Sequence, residues 1–504
     1  MGQLLKSQII SVAAMLAILV LLLGAAPALP ESAFTWSLPQ RVPGYADTTS
    51  PPILIADQNR TVHAFAYQQV GTAGKEIAIV YSQWTLGQGW TNPVDIILSP
   101  QKHEAGLLGA FLDQGGIVHL VFFGGDNTGA SIYYVRAPLA SAASAAAWSE
   151  PVLVGDKALN PESGSIAGDD KGNLVIVFNG TETGHGFYAA YSSDSGSSWT
   201  QPAAMFLADS DDLFPYNLQV YSSATGWLHA VWSTYSTEGQ GRGTYYARLK
   251  LGQEQWSQPI ELARTDSGYG TQEPAIVENR GQLIAMYYFP PKIFLRTSSD
   301  NGVTWTDPIA PFIHVGNNGA GSFAVDSSDN LHLFWGQRIT GNPDIHGMWH
   351  SIWQSGHWSE PEAIVSGPLV SDHTGDKAFD PTAAQAIVSQ GNVMLVTWRS
   401  DFGLKGNGVW YSYSILQTPE LPLATVAPQA NPNITAAPTV GSAKVVPTGS
   451  SETTSVATKS APLSPQNFVT DLNNPISELL VGIVPVVVLI LAIIAFIWYR
   501  SNRT

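Results

Sequence analysis

The residues of this chain able to do chemistry collect in polar segments lying between apolar, strand-like runs. Acids stand at Glu104, Glu162, Asp209, Asp211, Asp212, Asp266, Glu273, Asp372, Asp376 and Asp380, and cations at Arg242, Arg264, Arg338 and Arg399. Carboxylates mixed with guanidiniums suit a polar ligand such as a sugar, because an Arg fork can grip a carboxylate through two parallel hydrogen bonds. The plainer alternative is that loop tips are simply charged. The run Asp209-Ser-Asp211-Asp212 carries oxygen ligands that a hard cation could use, yet neither a metal nor a cofactor is expected.

The elements that must position these residues show themselves through repetition. The tetrapeptide W-[S/T]-x-P occurs seven times, at Trp36, Trp90, Trp148, Trp199, Trp256, Trp305 and Trp358, spaced 49 to 58 residues apart. Each interval holds three further strand signals, which fits one four-stranded propeller blade per repeat. In two copies the motif lengthens to S-x-D-x-G-x-x-W-T-x-P, with Ser192, Asp194, Gly196 and Trp199 in one and Ser298, Asp300, Gly302 and Trp305 in the other. Such a run suits a tight hairpin in which the Asp is a buried acceptor for backbone N–H groups, Gly takes a positive φ and Trp enters apolar packing. His63, His119, His229 and His332 recur in one slot of four different repeats. Spread around a ring they cannot converge on one ion, so they read as structural.

The first Trp signature has no strands before it, and the last triplet of strands, ending near Val409-Trp-Tyr-Ser-Tyr413, has no signature after it. The expectation is therefore an all-β, seven-bladed propeller over residues 31–416, closed by residues 36–42 pairing with the last strand. Loops entering each first strand and joining the second to the third share one face, where binding is expected, and the hairpins around Asp194 and Asp300 lie on the other.

These two hairpins resemble the Asp boxes, or BNR repeats, of the sialidase superfamily. The other copies are eroded, as in Gln83-Trp-Thr-Leu-Gly87-Gln-Gly-Trp90, which keeps the Gly and Trp without the Asp. The resemblance implies the fold strongly and the function weakly, since such propellers serve as hydrolases, sugar binders, sorting receptors and assembly factors. Catalytic sialidases need three Arg to clamp a sugar carboxylate, a Tyr–Glu nucleophile pair and an Asp acid/base. The first of those Arg opens the first inner strand in an R-I-P motif. Here Ser50 holds that slot, and Arg41-Val42-Pro43 leaves the closing strand instead. Six blades are usual for sialidases against seven here. Were the chain an enzyme, Tyr269 and Glu273 would stand for the nucleophile pair, and Arg242, Arg338 and Arg399, with Asp212 and Asp380, for the ligand-binding set.

The chain has 504 residues, no Cys, a net charge of −16 and a pI near 5.0. The charge argues against nucleic acid as a partner, and the missing Cys removes disulfides and thiolate chemistry. Residues 1–28 have the basic, apolar and small-residue parts of a signal peptide, with an uncleaved anchor as the competing reading. Residues 417–474 form a Pro/Thr/Ser-rich stalk unable to build a core, 475–499 an apolar membrane-spanning helix and 500–504 a cytoplasmic tail with Arg500 and Arg503. Asn59, Asn179 and Asn433 open glycosylation sequons. The leading expectation is a single-pass cell-membrane protein whose extracellular propeller recognises a glycan or a surface protein without catalysis. An exo-acting glycoside hydrolase of sialidase type is the alternative, and an envelope assembly factor a third reading.

Overall fold

The structure, a computed structural model, describes residues 34–70, 76–101, 105–126, 129–158, 163–266, 270–312, 317–318, 321–338, 346–367, 381–400 and 408–423. The chain divides into two compact units, Met1–Ala427 and Pro428–Thr504, and every described residue belongs to the first. The expected signal peptide, membrane helix, tail and most of the stalk lie outside the described residues. Among the described residues no helix is long and apolar enough to cross a membrane.

Seven antiparallel sheets form seven blades. Blade 1 comprises Ile53–Ala56, Thr61–Val70, Glu76–Thr85 and Val94–Leu98; blade 2 comprises Ala105–Leu112, Ile117–Asp126, Gly129–Pro138 and Val152–Ala158. Blade 3 comprises Gly164–Gly168, Leu174–Gly180, Gly186–Ser192 and Ala203–Leu207; blade 4 comprises Leu213–Ser222, Trp227–Ser236, Gly241–Lys250 and Ile260–Arg264. Blade 5 has Gln272–Asn279, Gln282–Phe289 and Lys292–Ser298, its outer position filled by a bridge between Leu295 and Ile309. Blade 6 is built on Ser322–Val325, Leu331–Arg338, His346–Gln354 and Glu362–Gly367. Blade 7 takes Pro381–Ser389, Val393–Ser400 and Gly408–Ile415 from the end of the chain and Gln40–Arg41 from its beginning.

The closure is an antiparallel pairing of Gln40 with Tyr411 and Arg41 with Trp410, extended by a Trp36–Ser414 bridge. The Ser37 N–H donates to the Tyr413 carbonyl at 2.8 Å and the Val42 N–H to that of Val409 at 2.9 Å. No sheet edge is left open where the two ends of the array meet. After Leu416 the chain continues against the ring: the Leu421 N–H donates to the Gln390 carbonyl at 2.7 Å and Glu420 pairs with Arg60 of blade 1. Residues 417–423, assigned to the stalk from composition, are thus tied to the domain.

Every signature Trp packs on the preceding blade, which explains why the motif recurs in each repeat. Trp148 meets Phe65 edge-on, Trp199 meets Tyr134 at 5.0 Å, Trp305 meets Tyr246 at 4.9 Å and Trp90 meets Tyr411. Trp256 joins the cluster around Tyr191, Trp358 the one around Leu295, and Trp36 stands edge-on to Phe334 of blade 6. Each outer strand therefore wedges an aromatic ring against its neighbour, and the wedges together knit the ring.

The histidines serve the same interblade contact. In blades 1 and 2 an Asp in the first turn faces the His Nε2, at 3.3 Å for Asp57–His63 and 3.2 Å for Asp113–His119. The His Nδ1 meets a buried Tyr on the third strand, at 2.7 Å for His63–Tyr81, 2.7 Å for His119–Tyr134 and 2.8 Å for His229–Tyr246. In blade 6 His350 replaces the Tyr, so Asp326, His332, His350 and Glu362 form a chain that ends on the Trp36 indole N–H, 3.1 Å from Glu362. In blades 2 and 4 the Tyr hydroxyl goes on to the next blade, Tyr134 donating to the Ser195 carbonyl at 3.2 Å and Tyr246 to that of Asn301 at 3.3 Å.

Those two carbonyls sit inside the S-x-D-x-G-x-x-W hairpins. Gly196 has φ +83° and an added Cβ would lie 2.2 Å from the Tyr134 hydroxyl, so only Gly permits this approach. The Asp194 carboxylate accepts from the Ser198 N–H at 2.9 Å and hydroxyl at 2.6 Å, and Asp300 does the same with Thr304 at 2.9 and 2.6 Å. The acceptors are exposed rather than buried as expected, because the Ser192 and Ser298 hydroxyls serve the buried Gly N–H groups instead. The Ser198 hydroxyl and N–H hold the Asp194 carboxyl at about 2.

Candidate functional site

The face opposite those hairpins carries a cavity of about 470 Å³ at blade 4. Three chain segments build it. The first enters the blade through Ser210, Asp212 and Leu213, with the Leu213 N–H bonded to the Ser210 carbonyl at 3.1 Å. The second is the turn from Ser236 to Gln240, closed by the Ser236 N–H on the Gln240 carbonyl at 2.9 Å and by Gly239 at φ +74°. The third follows the outer strand, where the Thr265 N–H donates to the Arg242 carbonyl at 2.8 Å. Thr234 and Ser236, both buried, form the floor, and Tyr245 contributes a half-buried aromatic wall stacked on Trp232 at 6.0 Å.

Two guanidiniums reach into this cavity and both are engaged by the protein. Arg264 lies 3.2 Å from Asp266 and 3.6 Å from each of Asp209 and Glu261. Arg242 donates to the Gln240 side-chain oxygen at 2.8 Å. Glu238, at the rim, is held below the usual carboxylate range, first by the Ser236 hydroxyl, then by its own backbone N–H and by Thr237, with the charge of Arg242 a smaller influence. The lining combines hydroxyls, carboxylates, guanidiniums and one aromatic face, a chemistry suited to a hydroxyl-rich ligand.

Of the residues singled out from sequence, Asp212 and Arg242 meet in this cavity, joined by Arg264 and Asp266 from the same acid and cation set. Arg399 does not. It is buried in blade 7 and donates to the Asp47 carbonyl at 3.1 Å. Arg338 pairs through its backbone with Asn317 in blade 6, and its side chain lies outside what is described. Tyr269 and Asp380 also lie outside the described residues. Glu273 opens the inner strand of blade 5 at φ +53°, and the phenol in its field is Tyr235. Burial pushes that phenol far up and the Glu273 carboxylate pushes it further, so Tyr235 stays protonated and is a poor nucleophile. Arg41, the near match to an inner-strand Arg, points into the closing strand's own ion pair with Asp47 at 2.6 Å.

Among the described residues no group of three or more His, Asp or Glu could hold a metal ion. Sequence reasoning passed over Glu182, in the blade 3 turn on the same face, whose carboxyl is raised above its usual value chiefly by burial. No repeated pattern marks it, since its environment comes from the turn packing around Tyr188 rather than from a motif. Asn179 is corrected as a glycosylation acceptor: it is buried in blade 3 and donates its amide to the Pro215 carbonyl.

No protein-family model and no curated protein matches the sequence. Several solved structures resemble it. A protein of unknown function from Dyadobacter fermentans aligns over 77% of this chain and 100% of its own, at 13% identity and a TM-score of 0.46. A polysaccharide lyase of family PL25, an ulvan lyase bound to a GlcA–Rha3S unit, covers 74% of this chain and 95% of its own at 12% identity and a TM-score of 0.49. The intramolecular trans-sialidase from Ruminococcus gnavus covers the same shares at 13% identity and a TM-score of 0.42. The propeller itself stands on the seven sheets described above.

Proposed function

We propose that this chain is a cell-surface recognition module that holds a glycan in the blade 4 cavity without cleaving it. The observation that carries the reading is the state of the cavity's charged groups. Both guanidiniums already have protein partners, and Glu238 is exposed and accepts from the Thr237 hydroxyl at 3.3 Å, without the apolar surroundings that keep the general acid of a glycosidase protonated. The basic and apolar leader and the C-terminal apolar run support display on a single-pass anchor, with the propeller outside and the short tail in the cytoplasm.

Hydrolysis is the second reading, and the raised carboxyl of Glu182 on the same face favours it. The full chain in detergent, offered a glycan array alongside a panel of fluorogenic glycosides that includes a sialoside, separates the two. Retention on the array without release of fluorophore is expected. Turnover that disappears in Glu182→Gln would establish hydrolysis instead, and silence on both panels would point to a protein ligand.

A further inference from the structure

The charge inventory around the blade 4 cavity says more than that it is polar. Three carboxylates line it, Asp212, Glu238 and Asp266, and two more, Asp209 and Glu261, lie 3.6 Å from the Arg264 guanidinium, against the two guanidiniums of Arg242 and Arg264. Arg264 is shared among three of those acids, so its charge is spent within the protein. Among the described residues no Lys or His lines the cavity, and the whole chain carries −16. A ligand entering this mouth meets a negative field set by fixed groups.

An acidic sugar would have to compete with Asp209, Glu261 and Asp266 for Arg264 and, once bound, would sit among unneutralised carboxylates. Like charges brought together in this way lower affinity, whereas a cationic group would find acceptors on every side. The hydroxyls of Ser210, Thr237 and Thr265 at the rim match a polyol of either kind, and the Tyr245 ring offers a face to the apolar side of a pyranose.

We infer that the cavity selects sugars that carry no acidic group and prefers those bearing a protonated amine, the opposite of a carboxylate clamp. This rests on the proposed glycan-binding role of the cavity and adds the class of sugar to it.

The test compares three ligands on the full chain by isothermal titration at low salt: a glucosamine oligomer, its N-acetylated counterpart and a uronic acid oligomer of equal length. The expected order is amine, then neutral, then acid, and the spread should narrow as salt screens the field. Asp266→Asn and Asp212→Asn, both exposed positions, should each reduce the preference for amine over neutral sugar by about two- to fivefold. An unchanged melting temperature in each variant assigns the change to the cavity. Uronate binding as tight as the neutral oligomer, or an amine preference that survives both substitutions, overturns the inference while leaving glycan recognition standing. Failure of all three sugars to bind overturns the inference, and the glycan reading falls with it only if the array is silent as well.

Discussion

Burial governs the proton affinity of His119, His229 and His350 more than any neighbour does. His229 and His350 are pushed down to about 4, and His119 is lowered as well, in each case chiefly because the charged form loses solvation. The folded state therefore binds fewer protons than the unfolded chain between the ordinary His value near 6.5 and the folded value. Stability from these groups is full above about pH 6.5 and is lost as pH falls towards 4. For His229 the loss is about 3 kcal/mol at full protonation of the unfolded chain. Melting curves from pH 7.5 to 4.5 should fall steadily, and His229→Gln should flatten that slope. A slope unchanged by the substitution would mean that His229 is already charged in the fold. Sequence reading took His119 and His229, with His63 and His332, as structural from their shared slot, and passed over His350 on the third strand of blade 6. The Tyr partners of His119 and His63 sit on the next strand at no fixed spacing, 15 residues on in blade 2 and 18 in blade 1, and emerged only from strand register.

At the scale of elements, the seven W-[S/T]-x-P strands made blade number and closure legible, because each blade must present the same ring to its neighbour and the repeat is dense enough to count. What remained hidden was the direction of the wedge, which depends on how adjacent sheets splay. Trp36 is the most consequential wedge, since it holds the N-terminal strand to blade 6 through its ring contact with Phe334 and its N–H on Glu362. Trp36→Ala should cost about 3 kcal/mol, read as a lower urea midpoint at constant m-value. Leu38, 79% exposed on the same strand, serves as the control, and Leu38→Ala should change stability by no more than about 0.5 kcal/mol. Equal effects from the two would show that strand pairing alone, without the wedge, closes the ring.

On the scale of the whole molecule, the ring puts its structural hairpins on one face and its charged loops on the other. That division was readable from strand order, and it brought Asp212 and Arg242 together as loop neighbours of one blade. Which of the other charged residues would join them was not readable, because Arg399 looks the same in sequence and turns inward to the Asp47 carbonyl. The central claim is recognition without cleavage in the blade 4 cavity. Titration calorimetry of the full chain with the tightest glycan from the array tests it most directly, since one trace reports both events: binding heat that saturates, and the continuing heat of any turnover. The account predicts a saturating trace with no residual heat, and binding weakened by about tenfold in Tyr245→Ala, which removes the aromatic face offered to the sugar. Steady heat after saturation, or affinity unchanged by Tyr245→Ala, would contradict it.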